Sequence, residues 1–212
     1  MLSSIKKYLL FIIGLLVMAF GVALSVKADL GVSPISCIPY IFSLKHPFSF
    51  GETTIVFSIL IILLQMIILR RQYQWFQMIQ IPVAFVFGYF IDIAMYTLTS
   101  LFITEYVEQF LLCMLSCIVL ALGIFILIKA KVSYLPGEGL ITAIVEVLKK
   151  DFGLVKITVD TAMVAIVILS SIILLEGLIG IREGTIMAAF LVGYLLKFYQ
   201  RIWCVIHKQD LS

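Results

Sequence analysis

Charge is scarce in this chain. Only 13% of its 212 residues are Asp, Glu, Lys or Arg, where a soluble domain carries roughly 25%. With 63% hydrophobic residues as well, too little polar surface is left to face water, which argues against a soluble fold. Histidine is rarer still: His46 and His207 fall in a loop and in the tail. No HExxH, phosphate loop or nucleophile motif is present, so an enzyme is not expected, nor is a cofactor. The four cysteines (Cys37, Cys113, Cys117 and Cys204) match no CxxC or metal spacing. Cys113 and Cys117 share a helix face at i,i+4, which reads as apolar packing, and no metal site is expected. The net charge of +3 is small and sits in loops, which speaks for membrane orientation and against nucleic acid.

What is present is a series of apolar runs. They fall near residues 8–26, 53–69, 78–103, 109–128, 157–175 and 184–205, each approaching the ~20 residues that a spanning helix needs. Lys6 and Lys7 precede the first run, but that run exceeds the h-region of a signal peptide and further spans follow it, so it is not expected to be cleaved. An all-α polytopic membrane protein is predicted.

The pattern repeats. "KADLGVSP" at 27–34 lies over "KAKVSYLP" at 129–136, an offset of 102 residues. The same offset carries Ala19 and Gly21 onto Ala121 and Gly123, Pro34 onto Pro136, and Phe50-Gly51 onto Phe152-Gly153. A three-residue insertion near 176–178 then brings "FGYFID" (87–92) onto "VGYLLK" (192–197). Residues 1–103 and 104–212 thus read as two repeats of one membrane domain, the second with a short cytoplasmic tail. Each has three spanning helices plus one short element, 34–45 or 136–149. A helix of twelve to fourteen residues rises only ~20 Å, short of the ~30 Å hydrocarbon core. If the short elements enter and return, the halves are inverted; if they cross, the halves are parallel. With a cytoplasmic N-terminus, the inverted arrangement leaves only Lys27, Lys45 and Arg182 of the 15 basic residues outside. The parallel one strands Arg70, Arg71, Lys129 and Lys131 there, so the positive-inside rule favours two inverted repeats.

Backbone that leaves the helix at membrane depth must be buried in protein or line a wet cavity. Gly31 and Pro34, and then Pro136, Gly137 and Gly139, supply such breaks. Proline suits a first helical turn, Ser33 is placed to cap the helix that follows, and Ser36 lies in its first turn. Exposed amides at a helix start carry partial positive charge. Paired broken helices in inverted halves point to a midplane solute site. The candidate substrate-binding residues are therefore Ser33, Pro34, Ser36, Pro136, Gly137, Glu138 and Gly139. Since Glu138 marks only one start, a solute with one anionic and one cationic end is expected.

The stretches "A-L-x-x-x-A-x-L-G-x-S-P" (Ala23 to Pro34), "P-G-E-G-L" (136–140) and "G-I-R-E-G-T" (180–185) resemble the YczE/YyaS/YitT-type bacterial integral membrane proteins. The resemblance covers most of the chain. It implies a multi-pass protein of the bacterial cytoplasmic (inner) membrane and names no substrate. It also draws attention to Lys156 with Asp160 and to Gly184-Thr185, whereas Ser171 to Glu176 depart from a glycine-rich family segment.

Ionisable groups within spans normally face protein or water. Lys156 and Asp160 are one turn apart, and Asp92, with Lys197 as its repeat mate, is the third intramembrane charge. These three are candidates for coupling or charge compensation. Together the features predict a small secondary transporter or permease with both termini cytoplasmic. Its partners would be the lipid bilayer and a small solute or ion, with a homo-oligomer conceivable. The alternative is a substrate-binding or accessory membrane subunit of a larger transport complex, suggested by the small-residue pattern in "AFGVA" (19–23).

Overall fold

A computed structural model describes residues 4–150, 152–175 and 182–209. Within these, the side chains of 4, 152–154, 156–157, 160, 170–175 and 205–209 are excluded, so Lys156 and Asp160 lie outside the described residues. The described residues are helical, with no strand. Eight α-helices follow in order: α1 Ser4–Ala28, α2 Pro34–Lys45, α3 Phe50–Leu69, α4 Gln80–Thr97, α5 Tyr106–Ala130, α6 Pro136–Leu148, α7 Phe152–Leu175 and α8 Glu183–Gln209. Among the described residues four segments are long and apolar enough to cross a membrane: Ile5–Ala28, Phe50–Gln72, Trp75–Thr97 and Tyr106–Ala130.

The helix boundaries repeat along with the sequence. α1 and α5 end at Ala28 and Ala130, α2 and α6 begin at Pro34 and Pro136, and α3 and α7 begin at Phe50 and Phe152. Asp29 and Lys131, the residues after α1 and α5, both turn left-handed, at φ 54° and 52°. Such a residue ends a helix by turning the chain away while its last carbonyls are satisfied. Two unlike side chains thus adopt the same strained backbone at positions 102 residues apart.

α1 and α5 form the centre. A Cβ added to Gly21 would lie 2.7 Å from the Leu120 nitrogen, and one added to Gly123 would lie 2.6 Å from the Met18 nitrogen. Gly14 likewise faces Leu127. Position numbers fall on one helix as they rise on the other, so the two helices run antiparallel. Met18 and Gly21 are the repeat mates of Leu120 and Gly123, which makes the contact self-complementary in the way a twofold interface is. The other packing follows suit: α4 lies on α1 as α8 lies on α5, and α2 rests on α7 as α6 rests on α3. Ala19 and Ala23 are fully buried in this crossing. The small residues of "AFGVA" therefore serve packing within the chain.

Two larger apolar clusters, beside a small one of Ala28, Leu30 and Cys113, fill the interior. One joins Leu15 and Val22 of α1, Phe87 and Ile91 of α4 and Leu120 and Leu127 of α5. The other joins Cys37 and Ile41 of α2, Ile61 of α3, Leu140 of α6 and Val167 of α7. α3 starts with a capping box, in which Ser49 Oγ accepts from the Glu52 amide and the Ser49 amide donates to Glu52 Oε2. Close packing of α3 on α4 is set by Gly88, whose added Cβ would meet Ile55 Cγ1 at 2.5 Å and the Gly51 carbonyl at 2.7 Å.

Candidate functional site

The two chain breaks meet. The Ile35 side chain of α2 lies directly against Gly137 of α6, and the two positions are 102 residues apart, the offset that relates the repeated stretches. Around it lies a cavity of about 220 Å³. Its lining includes Ser33, Pro34, Ser36, Pro136, Gly137 and Glu138, six of the seven residues singled out as solute-binding in the sequence. Met18, Phe57, Phe87, Leu120 and Ile141 supply apolar walls, and Thr54 and Ser58 of α3 add hydroxyls.

Each break is shaped by local chemistry. Pro34 and Pro136 open their helices at the first turn, where a missing amide costs nothing. Gly31, at φ 100°, takes a conformation that side chains resist. Ser33 occupies the N-cap position of α2, yet its hydroxyl makes no capping bond. It donates instead to Ser36 Oγ at 3.0 Å, so the two hydroxyls form a pair on the cavity wall. The amides of Ser36 and Cys37 both turn to the Ser33 carbonyl. Glu138 is half-buried in the first turn of α6, where a carboxylate is favoured by the helix dipole.

Two candidates sit elsewhere. Gly139 does not line the cavity: a Cβ there would meet Gln65 Oε1 at 2.8 Å and Gln80 Nε2 at 3.0 Å. Its role is to let those two amides approach α6. Asp92 holds the start of α3, accepting from Ser49 Oγ at 2.6 Å and from the Gly51 amide at 2.7 Å. Both of its oxygens are occupied by the helix cap and not by Lys197, because α3 and α4 are neighbours within one half.

Gln65 and Gln80 escaped the sequence reading. Gln65 is 1% exposed and Gln80 3%, and each donates to the other's Oε1, at 3.2 and 3.3 Å. Gln65 Nε2 also donates to the Pro136 carbonyl at 2.9 Å. The second break is thereby tied to α3 and α4. The signal was available: Gln65 is the lone polar residue in "ILIILLQMIIL" (59–69), where an unpaired amide would be costly. The first break has its own tie. Arg182 Nη1 donates to the Asp29 carbonyl at 2.7 Å and lies 3.7 Å from Asp29 Oδ2. The Gly184 amide donates to the Leu30 carbonyl at 2.8 Å, so "R-E-G-T" is the segment that clamps the break of the other half.

Near the basic end of the bundle, the Lys129 ammonium sits 4.8 Å from the centre of the Trp203 ring and 5.5 Å from that of Phe125, a cation–π arrangement that fixes α5 to α8.

Fold and site together define a helical membrane protein in which the starts of two short helices meet beside a cavity that both line. The chain belongs to a family of unknown function, DUF6198, which it matches over residues 5–201. It is 24% identical over 197 residues to the uncharacterised protein YyaS of Bacillus subtilis strain 168, covering 92% of this chain and 93% of that relative. No solved structure matches it.

Proposed function

We propose that this protein is a small secondary transporter or permease of the bacterial inner membrane, and that the cavity between the starts of α2 and α6 is its solute site. One observation carries the reading: Ser33–Ser36 and Pro136–Glu138, 102 residues apart in sequence, line one cavity. An inverted arrangement of the halves is supported by the antiparallel crossing of α1 and α5. Parallel halves would run these repeat mates in the same direction. With α1 leaving the cytoplasm, α5 returns to it, α2 and α6 enter and turn back, and α7 and α8 complete six crossings. The distribution of Lys and Arg supports the same arrangement, with both termini in the cytoplasm.

Alternating access then has a physical basis. Each short helix rests on the opposite half, α2 on α7 and α6 on α3, so rocking of one half against the other about the α1–α5 crossing moves both starts relative to the solute. Arg182 on Asp29 and Gln65 on Pro136 are the polar ties that such a motion would strain. The test is a thermal-shift panel of metabolites and ions on the purified protein, repeated with Ser36→Leu. A ligand that stabilises the parent and not the variant supports the reading. A panel without any stabilising ligand argues against it.

A further inference from the structure

The connection between α3 and α4 carries charge of one sign. Arg70 and Arg71 are the charged residues of the whole stretch between Glu52 and Asp92, and both are positive. Both are exposed. Among the described residues neither is paired with a carboxylate, whereas Arg182 is held by Asp29 and Glu183. Arg70 ends α3 at φ 47° and ψ −113°, outside the regions that side chains favour. A backbone outlier of this kind is characteristic of ligand clamps.

Aromatic side chains stand next to these charges. The chain passes through two short 3-10 turns, Arg70–Gln72 and Trp75–Ile79, and the Tyr73 hydroxyl donates to Met78 Sδ at 3.7 Å across them. Leu69 and Gln80, at the two ends of the loop, are buried, while Trp75 and Phe76 are 83% and 66% exposed. The loop is thus anchored at both ends and bare at its tip. It joins two segments that are each long and apolar enough to span a membrane, and Ile67 of α3 and Phe85 of α4 are exposed on the helices that lead into it. It therefore stands at a membrane face. There, amphipathic aromatic rings sit at headgroup level, and guanidinium groups take phosphates by paired hydrogen bonds.

We propose that residues 70–76 form a docking surface for an anionic phospholipid, with Arg70 and Arg71 on the phosphodiester and Trp75 and Phe76 among the acyl chains beside it. Charge decides the headgroup. Phosphatidylethanolamine and phosphatidylcholine bring an ammonium that the two arginines repel, whereas phosphatidylglycerol brings a net negative charge and no cation. In the inverted arrangement the loop faces the cytoplasmic leaflet. The proposal needs only that α3 and α4 cross the membrane, and it stands apart from the solute site. Because the loop leads into Gln80, whose amide pairs with Gln65 beside the second break, a lipid held here restrains the support of that break.

Trp75 reports directly, since Trp203 is the other tryptophan of the chain. In a Trp203→Phe background, shown to be folded by thermal unfolding, the protein is placed in mixed phosphatidylglycerol and phosphatidylcholine vesicles with one of the two brominated high on its acyl chains. Quenching of Trp75 should show a preference of about tenfold or more for phosphatidylglycerol at low salt. Arg70→Gln and Arg71→Gln should each lower that preference about fivefold, and the double variant should bring it near parity. Added salt should shrink it as well. Equal quenching by both lipids overturns the anionic headgroup. A preference that survives in a folded double variant overturns the arginines as its source. Trp75 left unquenched by either lipid overturns membrane docking and leaves the face to water or to a second copy of the chain. If the Trp203→Phe background does not fold, native mass spectrometry of the unsubstituted protein beside its Arg70→Gln/Arg71→Gln variant decides. Fewer phosphatidylglycerol molecules retained by the variant are expected, and equal numbers overturn the proposal.

Discussion

Gly21→Ala is the sharpest probe of the central crossing. The added Cβ would stand 2.7 Å from the Leu120 nitrogen and 2.8 Å from its Cα, where ordinary contact begins at 3.4 Å. Both obstructing atoms are backbone, so no rotamer change relieves them. α1 and α5 must separate by about 0.7 Å or shift along each other, and overpacking of this kind costs about 1–3 kcal/mol. For a chain of this length each kcal/mol corresponds to roughly 2–4 °C in Tm, so a fall of about 2–12 °C is expected by thermal unfolding in detergent. Gly123→Ala should fall similarly, since its Cβ would lie 2.6 Å from the Met18 nitrogen. The double variant should lose less than the two losses added together, because one displacement relieves both clashes. Gly193→Ala, with nothing within 4 Å, is the control and should unfold within about 1 °C of the parent. If Gly21→Ala and Gly123→Ala behave like that control, the tight antiparallel crossing is wrong.

Three further outcomes follow from the same geometry. Single cysteines at 70 and 150 should label from the same side of the membrane, and labelling from opposite sides would refute inverted halves. Asp92→Asn removes the charge from two short bonds, and bonds to charged groups contribute about 1.5–3 kcal/mol each; it should lower Tm in detergent clearly more than Glu146→Gln, made at an exposed site. Gln65→Leu leaves the Gln80 amide and the Pro136 carbonyl without their partner and should cost about 1–3 kcal/mol, with ligand affinity falling as the second break loosens; full stability and affinity would show that the tie is dispensable.

Much of this architecture could be read from the chain because its punctuation is chemical. Proline at 34 and 136 suits a first helical turn, and both short helices start there. The 102-residue offset, carried by Lys-Ala, Pro and Phe-Gly, reappears in helix ends and left-handed turns. What escaped was pairing. Asp92 looked like an intramembrane charge with Lys197 as its repeat mate, but a carboxylate near a neighbouring helix start is better satisfied by that helix's own amide and hydroxyl. Gly139 looked like part of the solute site by its place in "P-G-E-G", yet its missing side chain makes room for two glutamines. Ser33 stood where a cap belongs but bonded to Ser36. The surroundings of Asp92 and Gly139 depend on which side chains arrive from other helices, and no local pattern records them.

The solute site between the two helix starts is tested most directly by ligand-induced thermal stabilisation of the parent protein beside Ser36→Leu. Leucine at 36 occupies cavity space at the first turn of α2 and leaves the lipid-facing surface untouched. The account predicts at least one stabilising ligand for the parent and loss of that stabilisation in a variant that still folds. Equal stabilisation of both proteins would contradict it and place the site away from the breaks.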